Sequence, residues 1–127
     1  MIAADTSSWV VYLEGGEGED VRWLDRALEG RHVVMVPIVL TELLSGPNLP
    51  SSVADILSEV PLLSISPGYW HRAGALLAKV LAKRRRARLA DALIAQNCID
   101  AGVPLLTRDR DFHAFVEVAG LDLLFSY

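Results

Sequence analysis

Apolar residues along the chain follow two alternating patterns. Short runs of consecutive apolar or β-branched residues, typical of buried strands, are separated by longer segments in which apolar residues return every three or four positions, as on one face of a helix. The short runs predict strands at residues 1–6, 32–36, 61–66, 103–107 and 121–125. The longer segments predict helices at residues 8–14, 19–28, 37–44, 51–60, 69–86, 88–101 and 111–118.

This regular alternation of strands and helices is typical of a parallel sheet covered by helices, because each parallel connection must return across the sheet. We therefore predict an α/β fold, a three-layer α/β/α sandwich around a mostly parallel central sheet. A length of 127 residues suits one domain, and no linker or repeat divides the chain. We expect residues 1–127 to form a single domain.

Composition excludes several classes of protein. A hydrophobic content of 52% argues against a disordered chain, and a single cysteine excludes a disulfide within the chain and a cysteine-rich metal site. No segment approaches the roughly 20 apolar residues of a membrane helix, and the N-terminus lacks the basic region of a signal peptide. We expect a soluble, cytoplasmic protein without a membrane partner.

The net charge of −4 hides an uneven distribution of charge. Five of the 12 basic residues fall within six positions, namely Lys83, Arg84, Arg85, Arg86 and Arg88. Arginine binds phosphate through two parallel hydrogen bonds, so this basic segment is a candidate contact for the phosphate backbone of a nucleic acid through Arg84, Arg85, Arg86 and Arg88. The alternative is a solvated helix end, where cations interact favourably with the helix dipole.

Four carboxylates stand where burial is expected. Asp5 and Asp109 follow predicted strands, at the sheet edge where ligands bind in parallel α/β proteins; Asp5 could instead only cap the next helix. Asp91 lies on the apolar side of its helix, opposite Gln96 and Asn97, and a buried ion pair with an arginine is its alternative. Glu42 is the one ionisable group of the aliphatic segment 37–44, or a surface glutamate on a half-buried helix.

Carboxylates directed at one site raise each other's pKa unless a cation neutralises them. Ligand sets made only of oxygen select hard ions such as Mg²⁺ or Mn²⁺, which complete their coordination with water and substrate phosphate. The pattern is therefore typical of metal-assisted phosphodiester hydrolysis.

Four motifs, in this order, resemble a PIN domain, specifically that of VapC-type toxins: Asp5-Thr6-Ser7, Glu42 within residues 40–46, Asp91 within residues 90–95, and Thr107-Arg108-Asp109-Arg110-Asp111-Phe112. The resemblance implies a Mg²⁺- or Mn²⁺-dependent endoribonuclease in which water attacks RNA to leave 5′-phosphate and 3′-hydroxyl ends. It also implies specific residue roles. Asp5, Glu42, Asp91 and Asp109 would be the catalytic acids; Asp5, Asp91, Asp109 and Asp111 the metal ligands, with Asp109 ranked before Asp111; and Thr6 and Thr107 the supporting hydroxyls.

The same resemblance implies partners. It predicts a homodimer and a VapB-type antitoxin whose helix lies in a groove beside the active site, where an arginine could compete with the metal. Three alternatives stay open: a PIN-like nuclease of RNA processing outside a toxin–antitoxin pair, an inactive interaction module, and a Mg²⁺-binding receiver domain. A receiver would require an acidic pair at the first strand and a lysine late in the sheet, whereas Lys79 and Lys83 are the only lysines.

Overall fold

The fold is given by a computed structural model that describes residues 1–124. Two strands form the centre of the sheet, β1 (Ala3–Ala4) and β2 (Leu105–Leu106). The described helices are α1 (Thr6–Leu13), α2 (Glu19–Glu29), α3 (Pro37–Leu44), α4 (Ser51–Glu59), α5 (Tyr69–Ala82), α6 (Leu89–Ala101) and α7 (His113–Ala119), with a 3₁₀ turn at Arg110–Phe112 before α7.

All strand pairings in the described chain are parallel. β1 pairs with β2 in the register Ala3 to Leu105 and Ala4 to Leu106. Single bridges extend the sheet on both sides and join Ile2 to Val33, Met35 to Leu62 and Leu105 to Leu123. Each of the five predicted strands therefore contributes to one parallel sheet, with β1 and β2 in the middle, although residue 125 of the last predicted strand lies outside the described residues.

The helices form two groups that match the predicted layers. α1 contacts α2 and α3, and α3 contacts α4, whereas α5 contacts both α6 and α7. Right-handed crossovers in this strand order place α1–α4 on one face of the sheet and α5–α7 on the other. The predicted α/β/α arrangement is thus confirmed, and the core between its layers includes Trp9, Leu24, Val39, Leu57 and Phe115, all almost fully buried.

Residues with restricted backbone geometry set several helix ends. Pro37 occupies the first turn of α3, where its missing N–H costs nothing. Gly102 and Gly120 end α6 and α7 in the left-handed conformation, with φ of 65° and 71°. Asp5 caps α1, which therefore begins at Thr6 and not at residue 8. These residues allow short connections between the strands and the helices.

Three details differ from the sequence predictions. α5 ends at Ala82 and not at residue 86, because the chain turns at Arg84 with a φ of 57°. α7 follows the 3₁₀ turn and so begins at His113. The polar face predicted for α6 is wrong, since Gln96 and Asn97 are also buried. Within residues 1–124, no helix combines the length and apolar character needed to cross a membrane.

Candidate active site

The register of β1 and β2 brings together residues that are about one hundred positions apart in the sequence. The residues that follow each strand, Asp5 and Thr107, become neighbours at the carboxyl edge of the sheet. Thr107 Oγ1 donates a hydrogen bond to Asp5 Oδ2 at 2.8 Å and accepts one from the Asp109 amide at 2.9 Å. The threonine hydroxyl therefore links the two strand-end aspartates, as its predicted supporting position requires.

Asp5 is buried and accepts three hydrogen bonds through its side chain. Its Oδ1 accepts from Ser7 Oγ at 2.7 Å and from the Ser8 amide at 3.2 Å, the second being the N-cap bond of α1. Asp5 therefore caps α1, as one interpretation of the sequence predicted. Its other oxygen, Oδ2, accepts the hydrogen bond from Thr107. Burial, with a smaller contribution from the nearby Asp109 carboxylate, raises the pKa of Asp5 to about 6 despite these hydrogen bonds.

Three further carboxylates form a tight group, called here the acid cluster: Asp91, Asp109 and Asp111. One oxygen of each lies within 4.8 Å of the others. Asp91 is in the first turn of α6 and accepts a bond from the Arg88 amide at 3.3 Å. The Asp111 amide donates to Asp109 Oδ1 at 2.9 Å and so folds the chain back after β2. The structure thus brings Asp109 and Asp111 together to the same site.

Electrostatic repulsion is built into this cluster. Burial, followed by the charges of Asp109 and Asp111, raises the pKa of Asp91, while the Arg88 amide and guanidinium lower it. No ion pair within residues 1–124 includes Asp91, so the alternative of a buried arginine pair is not met there. The side-chain ligand atoms of the acid cluster are all carboxylate oxygens, and their negative charges lie close together and are only partly neutralised. Such a set of ligands fits a hard divalent cation such as Mg²⁺ or Mn²⁺.

Glu42 is exposed, so the interpretation of this residue as a buried carboxylate is wrong. Its Oε1 nevertheless accepts a 2.8 Å hydrogen bond from Thr6 Oγ1, the hydroxyl next to Asp5. α3, which carries Glu42, contacts both α1 and α6. Glu42 therefore lies at the same edge of the sheet as the other acids, joined to them through Thr6.

One pair at this edge was missed by sequence reasoning. Arg108 forms two hydrogen bonds with Asp20, from Nε to Oδ2 at 2.7 Å and from an Nη to Oδ1 at 2.8 Å. Asp20 is completely buried in the first turn of α2. In the sequence, Asp20 follows Glu19 and resembles an ordinary acidic residue in the first turn of a helix. The sequence feature that could have revealed the pair is the arginine between Thr107 and Asp109.

The basic segment forms the connection between α5 and α6. Arg85 is half-buried and pairs with Glu117 of α7. Arg84, Arg86 and Arg88 are exposed, and Arg88 immediately precedes the helix that carries Asp91. Three of the four predicted RNA contacts are thus accessible beside the acid cluster, whereas Arg85 has a partner within the chain.

These features define the class of the protein as a parallel α/β fold with an acidic candidate metal site at the carboxyl edge of its central strands. Residues 2–118 match the family model described as PIN domain. Because this match covers most of the chain, the protein belongs to the PIN domain family.

Solved structures have the same fold over nearly the whole chain. A chain in the crystal structure of VapBC2 from Rickettsia felis bound to a promoter DNA fragment has 21% identity and a TM-score of 0.76, covering 100% of this chain and 99% of that one. DNA-bound VapBC from Salmonella typhimurium gives 18% identity, a TM-score of 0.74 and coverages of 99% and 98%. A chain of FitAcB from Neisseria gonorrhoeae has 20% identity and a TM-score of 0.71, covering 98% of this chain and 97% of that one.

Proposed function

We propose that this protein is a Mg²⁺- or Mn²⁺-dependent endoribonuclease that acts as the toxin of a VapBC-type toxin–antitoxin pair. The observation that carries the proposal is the acid cluster of Asp91, Asp109 and Asp111, placed beside Asp5 in a member of the PIN domain family. The resemblance to chains of VapBC complexes supports the toxin assignment.

In this proposal each acidic residue has a defined task. Asp91, Asp109 and Asp111 hold the divalent ion, and Asp5 adds a carboxylate from the neighbouring strand. Glu42, exposed and held by Thr6, orients the attacking water. When bound, the ion would lower the pKa of water and neutralise charge that develops on the phosphate. The products expected are a 5′-phosphate and a 3′-hydroxyl.

The direct test is RNA cleavage by the purified protein with Mg²⁺, with Mn²⁺ and with excess EDTA. We expect cleavage only with metal, and its loss in Asp91→Asn. Asp55→Asn is a matched control because Asp55 is an exposed aspartate on α4, and it should cleave like the wild type. Undiminished cleavage in EDTA would refute the proposal, whereas metal binding without cleavage would favour a catalytically inactive interaction module with the PIN fold.

The exposed arginines supply a candidate path for the RNA backbone. Arg84, Arg86 and Arg88 present positive charge beside an otherwise acidic edge, and such contacts weaken as salt displaces the protein from phosphates. We expect the double variant Arg84→Ala/Arg86→Ala to bind RNA more weakly and to lower the slope of log Kd against log salt by about 1.4, or about 0.7 per contact. An unchanged slope would favour a merely solvated helix end. Arg31→Ala, on an exposed arginine after α2, is the control.

A groove beside Glu42 supports an antitoxin partner. It has a volume of about 420 Å³ and is lined by the apolar residues Val10, Leu13, Leu43, Leu49 and Val53, with Glu14 and Glu42 as its charged members. An apolar groove whose charges are all negative suits an amphipathic helix with basic residues. We propose that a VapB-type antitoxin binds here. Val53→Glu should abolish neutralisation of toxicity by the co-expressed antitoxin, and Ile56→Glu, on an exposed neighbouring position of α4, should not.

A homodimer is the second partner that we propose. Trp70 is 61% exposed and Leu62 is 54% exposed, and exposed large apolar side chains are common at subunit interfaces. Light scattering of the isolated protein tests this, since a monomer at micromolar concentration would refute it.

A further inference from the structure

The Asp20–Arg108 ion pair is more deeply buried than the ion pairs formed by Arg22, Arg72 and Arg85. Asp20 is 0% exposed, and Ser8 Oγ donates a third hydrogen bond to its Oδ2 at 2.8 Å. By contrast, the Arg72–Asp100 and Arg85–Glu117 pairs keep both side chains partly exposed. Arg108 keeps 30% of its side chain exposed, but the Asp20 carboxylate loses its hydration completely, and an ion pair often offsets such a loss only in part. Its placement therefore needs another explanation.

The position of Arg108 in the chain supplies that explanation. Arg108 lies between Thr107, which bonds Asp5, and Asp109 of the acid cluster. Its own amide donates to Ser7 Oγ at 3.2 Å, and Ser7 Oγ in turn donates to Asp5. Its guanidinium also donates to the backbone carbonyl of Glu17. The segment 107–109 is thus fastened to the start of α1 through the backbone and to the start of α2 through the side chain.

The Arg108 side chain adds a second restraint to the segment 107–109, beyond the hydrogen bonds of Thr107 and of the Arg108 amide. The acid cluster consists of like charges, whose mutual repulsion favours separation before a cation arrives. The two hydrogen bonds between Arg108 and Asp20 fix the direction in which the chain leaves β2, because a planar guanidinium held at two oxygens cannot rotate freely. The direction of the chain at residue 108 then sets where the next residue, Asp109, points.

We propose that Asp20 and Arg108 are positioning residues for the metal site: the buried pair holds the 107–109 segment so that Asp109 and Asp111 converge with Asp91 before metal binds. The inference rests on the proposed function for the identity of the site as a divalent-metal site. It assigns to α2, which carries none of the predicted acids, a direct part in metal affinity.

The test measures Mn²⁺ affinity by calorimetry, independently of RNA cleavage. Variants Asp20→Asn and Arg108→Gln, and the double variant Asp20→Asn/Arg108→Gln, are compared at a temperature where each is folded by circular dichroism. The double variant leaves no uncompensated buried charge and so remains informative if a single variant does not fold. Arg108→Lys keeps the charge but loses the paired hydrogen bonds. Arg72→Gln is the control, since it breaks an ion pair at the far end of α6.

We expect Mn²⁺ affinity to fall about 10- to 100-fold in the double variant, as for other residues that orient metal ligands. The Mn²⁺ affinity of Arg108→Lys should lie between that of the double variant and that of the wild type. The Mn²⁺ affinity of Arg72→Gln should equal that of the wild type. Wild-type Mn²⁺ affinity in the folded double variant would overturn the inference. A raised KM for RNA at unchanged Mn²⁺ affinity would also overturn it, by making Arg108 a substrate contact. If wild-type protein binds Mn²⁺ but never cleaves RNA, the proposed function fails while the positioning inference still stands on the affinities.

Discussion

The substitution Asp5→Asn should stabilise the metal-free protein at neutral pH. Burial raises the pKa of Asp5 from 3.8 to about 6, so the folded state binds its proton more tightly than the unfolded state. The contribution of Asp5 to stability is therefore highest below pH 3.8, falls as the pH rises through about 6, and is constant above that. The full loss is about 3 kcal/mol, at about 1.36 kcal/mol per pKa unit.

Asparagine removes this charge penalty but alters one hydrogen bond. Its oxygen can still accept from Ser7 and the Ser8 amide, whereas its NH₂ group replaces the oxygen that accepts from Thr107. That change costs about 1 kcal/mol, which leaves a net gain of about 2 kcal/mol at pH 7.5. At pH 4.5 the charge penalty is only about 1 kcal/mol, so the net gain should vanish. The hydrogen-bond cost is the same at both pH values and cancels in the difference of about 2 kcal/mol.

Urea denaturation in EDTA at pH 7.5 and 4.5 measures this difference, with Asp55→Asn as the exposed control. Added Mn²⁺ should reverse the order of stability at pH 7.5, because a ligand that binds only the folded state stabilises the protein that binds it more tightly. Destabilisation by Asp5→Asn at pH 7.5 in EDTA, or an equal gain at both pH values, would refute the assignment of Asp5 as a buried charge that a cation must compensate.

Two further predictions follow from the same site. Because protons compete with metal for Asp5 and Asp91, whose pKa values are both raised, Mn²⁺ affinity should weaken as the pH falls from 7.5 to 5.5, and calorimetry at the two values tests this; a pH-independent affinity would contradict it. Thr107→Val removes the donor to Asp5 and the acceptor of the Asp109 amide, and should cost about 1–3 kcal/mol of unfolding free energy, whereas Thr107→Ser should retain most of it in the same denaturation assay.

The sequence was sufficient to single out Asp5 and Asp109, which follow strands, and Asp91 as candidates for the site. Asp5 and Asp109 could be placed at one edge because parallel strands end on the same side of a sheet. β1 and β2 are also neighbours in that sheet, and their register sets Asp5 against Thr107. Asp91 could be singled out because a buried carboxylate among apolar residues needs compensation, although the opposite face of the helix was wrongly predicted to be exposed.

The remaining features depend on tertiary partners that no local pattern contains. Asn97 appeared to lie on a solvent-facing side of α6, but its Nδ2 donates to the Ser64 carbonyl at 3.1 Å and the side chain is buried. Glu42 was expected to be buried, yet it is an exposed residue held by Thr6 from another helix. Asp20 is buried because Arg108 reaches it from a loop 88 residues away. In each case a hydrogen-bond partner lies at least 33 positions away in the sequence, so no local pattern contains it.

The distribution of charge has a structural explanation in the connection between α5 and α6. The chain leaves α5 at Ala82, turns at Arg84 and enters α6 directly after Arg88, three residues before Asp91. The basic segment is therefore close in sequence to Asp91, whereas Asp109 and Asp111 reach the acid cluster only through the fold. A cation bound by the acids would remove the repulsion that a phosphate meets there, and the exposed arginines of the basic segment would add favourable positive charge for a phosphate backbone. The net charge of −4 is a sum over the whole chain that conceals these two opposed surfaces, which is why it does not argue against an RNA substrate.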